Sequence, residues 1–77
     1  MTVKITEAQR ERATKDINEA KIKLVQAIEK LGRTLEIAKT EEGWETFLEE
    51  DANRVQYWEK YIAKLTTILE KGEIEVA

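Results

Sequence analysis

Apolar residues recur along this chain at steps of three and four, the spacing of one face of an α-helix. In the first half Ala13, Ile17, Ala20, Leu24, Ile28, Leu31, Leu35 and Ala38 stay in phase as a near-heptad seam. The seam crosses Gly32 without losing register. The pattern therefore predicts one helix from about Glu7 to about Lys39, roughly 50 Å long at about 1.5 Å per residue. The alternative is a break at Gly32, with Arg33–Ala38 as a short strand. Thr6 followed by Gln9 has the spacing of a capping box, and Glu7 and Glu11 suit the positive end of the helix dipole.

A second seam runs Leu48, Ala52, Val55, Trp58, Ile62, Leu65, Leu69. Its helix is expected to begin between Thr40 and Trp44, spanning about 43–71, with Thr40 a candidate N-cap and Glu41, Glu42 and Glu45 in its opening turns. Gly72 is the natural left-handed residue after its last turn, and Ile74 beyond it is placed to touch that turn in a Schellman arrangement. Only Thr40–Gly43 then separates the helices, and so short a connection makes them antiparallel. Pairing the seams on that basis sets Leu35 against Leu48, Leu31 against Ala52, Ile28 against Val55, Leu24 against Trp58 and Ile17 against Leu65. Large residues meet small ones at several of these levels, as interdigitation requires.

The hairpin brings the chain's two end segments together. Thr2-Val3-Lys4-Ile5 and Glu73-Ile74-Glu75-Val76 both alternate polar and apolar residues, the period of a strand. An antiparallel ribbon of 2–5 with 73–76, Lys4 lying near Glu73 or Glu75, is one reading; frayed ends are the other. The expected architecture is all-α: a single domain over 1–77, folded as an antiparallel two-helix hairpin with a coiled-coil-like seam.

Two helices share one seam and enclose no core, and domains of this size usually need a staple or a second copy. A further set of apolar residues lies beside the seams: Ile22 and Val25 on the first helix, with Gly32 on the same line, and Phe47, Tyr61 and Ile68 on the second, flanking Trp58 and Leu65. Self-association through Ile22, Val25, Phe47, Trp58, Tyr61 and Ile68 follows from that surplus. The simplest closed form is a two-fold dimer completing a four-helix bundle; a larger ring is the alternative. Asp51 and Arg54, three residues apart between Phe47 and Trp58, are placed to fix its register.

Composition narrows the chemistry. The 77 residues include no His, Cys, Pro or Ser. That excludes disulfides, zinc fingers, histidine acid–base chemistry and the common nucleophiles. Apolar runs are two residues or so long, as at Leu24-Val25 and Ala27-Ile28, which leaves no membrane span and no signal-peptide core. A cytoplasmic protein is expected. Thirteen basic and sixteen acidic residues give a net charge of −3, unevenly spread. Residues 1–40 carry a balance of +3 and residues 41–77 one of −6. Between Glu41 and Asp51 stand six carboxylates and no cation. Basic residues in the first half alternate with acids, so a duplex nucleic-acid stripe is not expected. A partner of the acidic segment should be basic, meeting Glu45, Glu49, Glu50 and Asp51 with Trp44 and Tyr57 beside them.

Glu45 and Glu49, one turn apart, are spaced to share a hard cation, but a solvated acidic helix start explains them more simply. No metal, cofactor or catalytic residue is assigned. Tyr57 and Tyr61 with nearby lysines suit a small-ligand pocket between chains. The Trp and Tyr rings could stack bases, but Glu59 and Asp51 match Lys60, Lys64 and Arg54 around them, so core or interface packing explains the rings better. Two pieces, Gly32-Arg33-Thr34-Leu35 and Tyr57 to Leu65, resemble parts of small head–tail joining proteins of tailed phages. They cover about a fifth of the chain, and the spacing between them is longer than in those proteins, which assigns no family. The sequence thus points to a non-enzymatic interaction module that self-associates and binds another macromolecule. Alternatives are a viral counter-defence inhibitor that presents residues 41–51 to a basic groove, a small-ligand-binding oligomer, and a phage structural adaptor.

Overall fold

A capping box opens the long first helix. In a computed structural model describing residues 1–76, the Gln9 amide donates to Thr6 Oγ1 at 3.1 Å and the Thr6 amide donates to Gln9 Oε1 at 2.8 Å. The helix that follows, α1, runs unbroken over Glu7–Ala38 and passes straight through Gly32. The second, α2, spans Glu45–Lys71. Three-residue strands, β1 at Thr2–Lys4 and β2 at Glu73–Glu75, pair antiparallel with Lys4 opposite Glu73 and Thr2 opposite Glu75. The two helices pack as a hairpin and the ribbon closes its open end. Among the described residues no helix is long and apolar enough to cross a membrane.

The connection is longer than the sequence suggests. Thr40 does not cap α2; its amide and hydroxyl both donate to the Ile37 carbonyl, at 3.1 and 3.2 Å, and so finish α1. The Glu41 amide donates to the same carbonyl at 3.0 Å. Gly43 then takes φ +90°, a left-handed conformation that no helix can pass through, and α2 begins only beyond Trp44. Trp44 offers no capping side chain, which leaves this helix start weaker than that of α1.

At its far end α2 stops at Gly72, in the left-handed region at φ +68°. A single bond from the Gly72 amide to the Ile68 carbonyl, 2.8 Å, makes this the simple left-handed cap and not the Schellman form. Ile74 continues into the ribbon, its backbone paired with Val3. Two further contacts lock that end: the Ile5 amide donates to the Gly72 carbonyl at 3.0 Å, and Arg10 Nη1 donates to the Leu69 carbonyl at 3.3 Å. Arg10 thereby answers a carbonyl of the last turn that α2 itself leaves unpaired.

The seam of α1 is stricter than apolar spacing alone implies. Apart from half-buried Asp16, its buried and half-buried positions are Ala13, Ile17, Ala20, Leu24, Ala27, Leu31, Thr34 and Ala38, alternating steps of four and three. Ala27 and Thr34 occupy the places expected of Ile28 and Leu35, which are 51% and 45% exposed. Small residues therefore recur every seventh position along α1: Ala13, Ala20, Ala27, Thr34. Opposite this narrow stripe, α2 supplies mostly large side chains, Leu48, Val55, Trp58, Ile62, Leu65 and Leu69, all half-buried. A row of small side chains lets the helix surfaces approach closely, which turns the adjacent Ile28 and Leu35 out onto the flank.

The result is a plate. Its extents are 52 × 24 × 13 Å, and the shortest is hardly more than one helix diameter of about 10–12 Å. Everything buried lies in the single seam between the helices.

Candidate functional site

A carboxylate sits inside that seam. Asp51 is 4% exposed and Thr34, facing it from α1, is 6% exposed. The Thr34 hydroxyl donates to Asp51 Oδ2 at 2.6 Å, and the Lys30 ammonium lies 3.6 Å from Oδ1. Thr34 Oγ1 is also 3.1 Å from the Lys30 carbonyl. One hydroxyl proton cannot serve both acceptors, and the shorter, charge-assisted contact holds it. Asp51 therefore belongs neither to an exposed acidic face nor to a pair with Arg54. It joins the two helices from within, and Arg54 is free of it.

Helical geometry sorts the remaining side chains to the two broad sides of the plate. Lys23 and Lys30 precede seam residues Leu24 and Leu31; Phe47, Arg54, Tyr61 and Ile68 precede Leu48, Val55, Ile62 and Leu69. In antiparallel packing these like flanks fall on the same side. There the helices enclose an open groove of about 930 Å³, whose walls include Lys23, Lys30 and Arg33 from α1 and Arg54, Tyr57 and Trp58 from α2. Its only carboxylates are Glu29 and Glu50. Among the described residues Lys23, Arg33 and Arg54 make no ion pair. The Tyr57 and Trp58 rings stand edge to face at 5.0 Å, and Tyr61 lies nearly parallel to Tyr57, at 20° and 6.3 Å. A chain of net charge −3 thus carries a local cationic and aromatic concavity.

On the opposite side lie residues that follow seam positions: Ile28 after Ala27, and Leu35 after Thr34. Val25 and Gly32 adjoin them on the helix surface, and Ile22 stands further round toward the outer edge. Val25, Ile28 and Leu35 are all exposed and form an aliphatic flank on α1, with exposed Ile22 beyond it. The six residues expected to form one self-association surface are therefore divided. Val25 belongs with the aliphatic side and Ile22 with the outer edge; by helical position Phe47, Tyr61 and Ile68 belong with the groove side, and Trp58 is half-buried in the groove wall.

Of the residues expected to meet a partner, Glu45, Glu49 and Glu50 are exposed. They do not share one face, since only Glu50 reaches the groove. Trp44 is half-buried and packs on Phe47 at 5.1 Å, while Tyr57 is 58% exposed. Among the described residues no three carboxylates converge on a point that could hold a metal ion. Sequence reasoning missed Lys23, Lys30 and Arg33 as groove residues, and Thr34 as a seam residue. The signal was present in the alternating four-three spacing, which places Thr34 inside once Ala27 is preferred to Ile28.

Comparison with known protein families, with curated proteins and with solved structures finds no match, so geometry and chemistry alone carry the functional reading.

Proposed function

We propose that this protein is a non-enzymatic interaction module that pairs with a second copy of itself through the aliphatic flank of α1. The surface it leaves in water carries this reading. The accessible area is 6162 Å², whereas a folded monomer of 9.0 kDa exposes about 4,900 Å². The excess, about 1,300 Å², exceeds the ~800 Å² per partner that a stable interface buries. The radius of gyration agrees: 16.7 Å, against about 11 Å for a compact domain of this length. Val25, Ile28 and Leu35 are the largest apolar side chains on one continuous stretch of that excess, with Gly32 between them admitting close approach. A two-fold pair stacked on this side makes a four-helix bundle.

Sedimentation of the purified chain across a hundredfold range of concentration tests the proposal. A dimer dissociating only at high dilution is expected, and Val25→Glu with Ile28→Glu should give a folded monomer throughout. A wild-type chain that sediments as a monomer at micromolar concentration overturns it.

A second surface suits a basic macromolecule. Glu41, Glu42, Glu45 and Glu49 are exposed around the connecting loop, and among the described residues none is in an ion pair. Replacing Glu45, Glu49 and Glu50 by Gln should abolish capture of such a partner while leaving the dimer intact. Retention of the partner removes this part of the reading.

A further inference from the structure

Rings in the groove first look neutralised by their acidic neighbours in sequence, Asp51 and Glu59. Folding separates them. Asp51 is buried against Thr34 and turned to Lys30. Glu59 follows seam residue Trp58 and so lies on the aliphatic side, away from the groove. In their place α1 brings Lys23 and Arg33 across the seam. Three cations without ion-pair partners among the described residues then share one concavity with exposed Tyr57 and half-buried Trp58.

We propose that this groove binds a free nucleotide, its base against Tyr57 and Trp58 and its phosphates among Lys23, Arg33 and Arg54. Every base offers a π-face to an aromatic side chain, so stacking tolerates any base identity. Guanidinium groups present planar forks that match phosphate oxygens, and two of the three unpaired cations are arginines. The volume of about 930 Å³ accommodates a nucleoside triphosphate and lies within the range of small-molecule sites. Glu29 and Glu50 also line the groove and oppose any polyanion alike, so the ring contact is what favours a nucleotide over a bare polyphosphate. The proposal is independent of self-association, because the groove and the aliphatic flank are on opposite sides of the plate.

The test is a titration of the isotope-labelled full chain with ATP, GTP and UTP, followed by amide shifts, beside inorganic tripolyphosphate and a short oligothymidylate. Saturable shifts confined to residues 23–33 and 50–58 are expected, with affinities for the three nucleotides within about tenfold of one another. Tripolyphosphate should bind at least about fivefold more weakly. Arg54→Ala and Tyr57→Ala alter exposed side chains; each should weaken ATP at least about fivefold and leave the melting temperature unchanged. No saturable shift up to about 5 mM overturns the proposal. Equal binding of ATP and tripolyphosphate overturns the role of the rings, and so does binding unaffected by Tyr57→Ala. Binding of the oligothymidylate without any mononucleotide overturns it in favour of a single strand.

Discussion

Thr34 holds the one proton that makes a buried carboxylate tolerable. Thr34→Val leaves Asp51 inside the seam with only the Lys30 ammonium, which at 3.6 Å is beyond hydrogen-bond length. The loss should be about 2–3 kcal/mol, the range for stranding a charged group. Adding Asp51→Leu to Thr34→Val removes both polar partners, and the double variant should recover most of that loss. Chemical denaturation of the two variants settles the matter: a double variant no more stable than Thr34→Val alone means the carboxylate is not held as described. This pair was hard to read from sequence because a carboxylate among glutamates looks like surface. Only its seven-residue spacing from Trp44 and Trp58 marks Asp51 as a seam position.

Helix limits were legible where a cap or a glycine enforces them. Thr6 with Gln9 and Gly72 locate the start of α1 and the end of α2, because each satisfies backbone groups that the helix leaves unpaired. The cap of α2 falls at Trp44 and not at the candidate Thr40, since a threonine followed by glutamates describes an N-cap equally well, and only the positive φ of Gly43 forbids it. Glycine positions also divide sharply in their tolerance. Gly72→Ala forces an L-residue into the left-handed region and should cost about 1 kcal/mol, although its Cβ would meet only Arg10 Nη2 at 3.4 Å. Gly32→Ala places a methyl in open space on a regular helix and should stabilise an isolated chain by about 0.5–1 kcal/mol. Thermal melts of both variants at high dilution should move in opposite directions. A Gly32→Ala variant that melts lower there contradicts the continuous helix.

Scale changes what the seam means. Periodicity revealed the hairpin, yet choosing Ile28 and Leu35 over Ala27 and Thr34 hid its flatness, because apolar bulk was read as burial. Close approach along the small-residue stripe reverses that assignment. With so little enclosed, stability should depend on concentration: the melting temperature of the wild type should rise with protein concentration, as association linked to folding requires. That of Ile28→Glu with Leu35→Glu should stay constant. A wild-type melt that does not shift between dilute and concentrated samples would falsify this dependence. The shape has a last consequence. A plate 13 Å thick separates its two broad sides by a single layer of helix, so occupation of one need not obstruct the other. Two such plates joined back to back on the aliphatic side would turn both grooves outward in opposite directions. The pair would be bivalent, and would bridge two ligand molecules where a clasp would hold one.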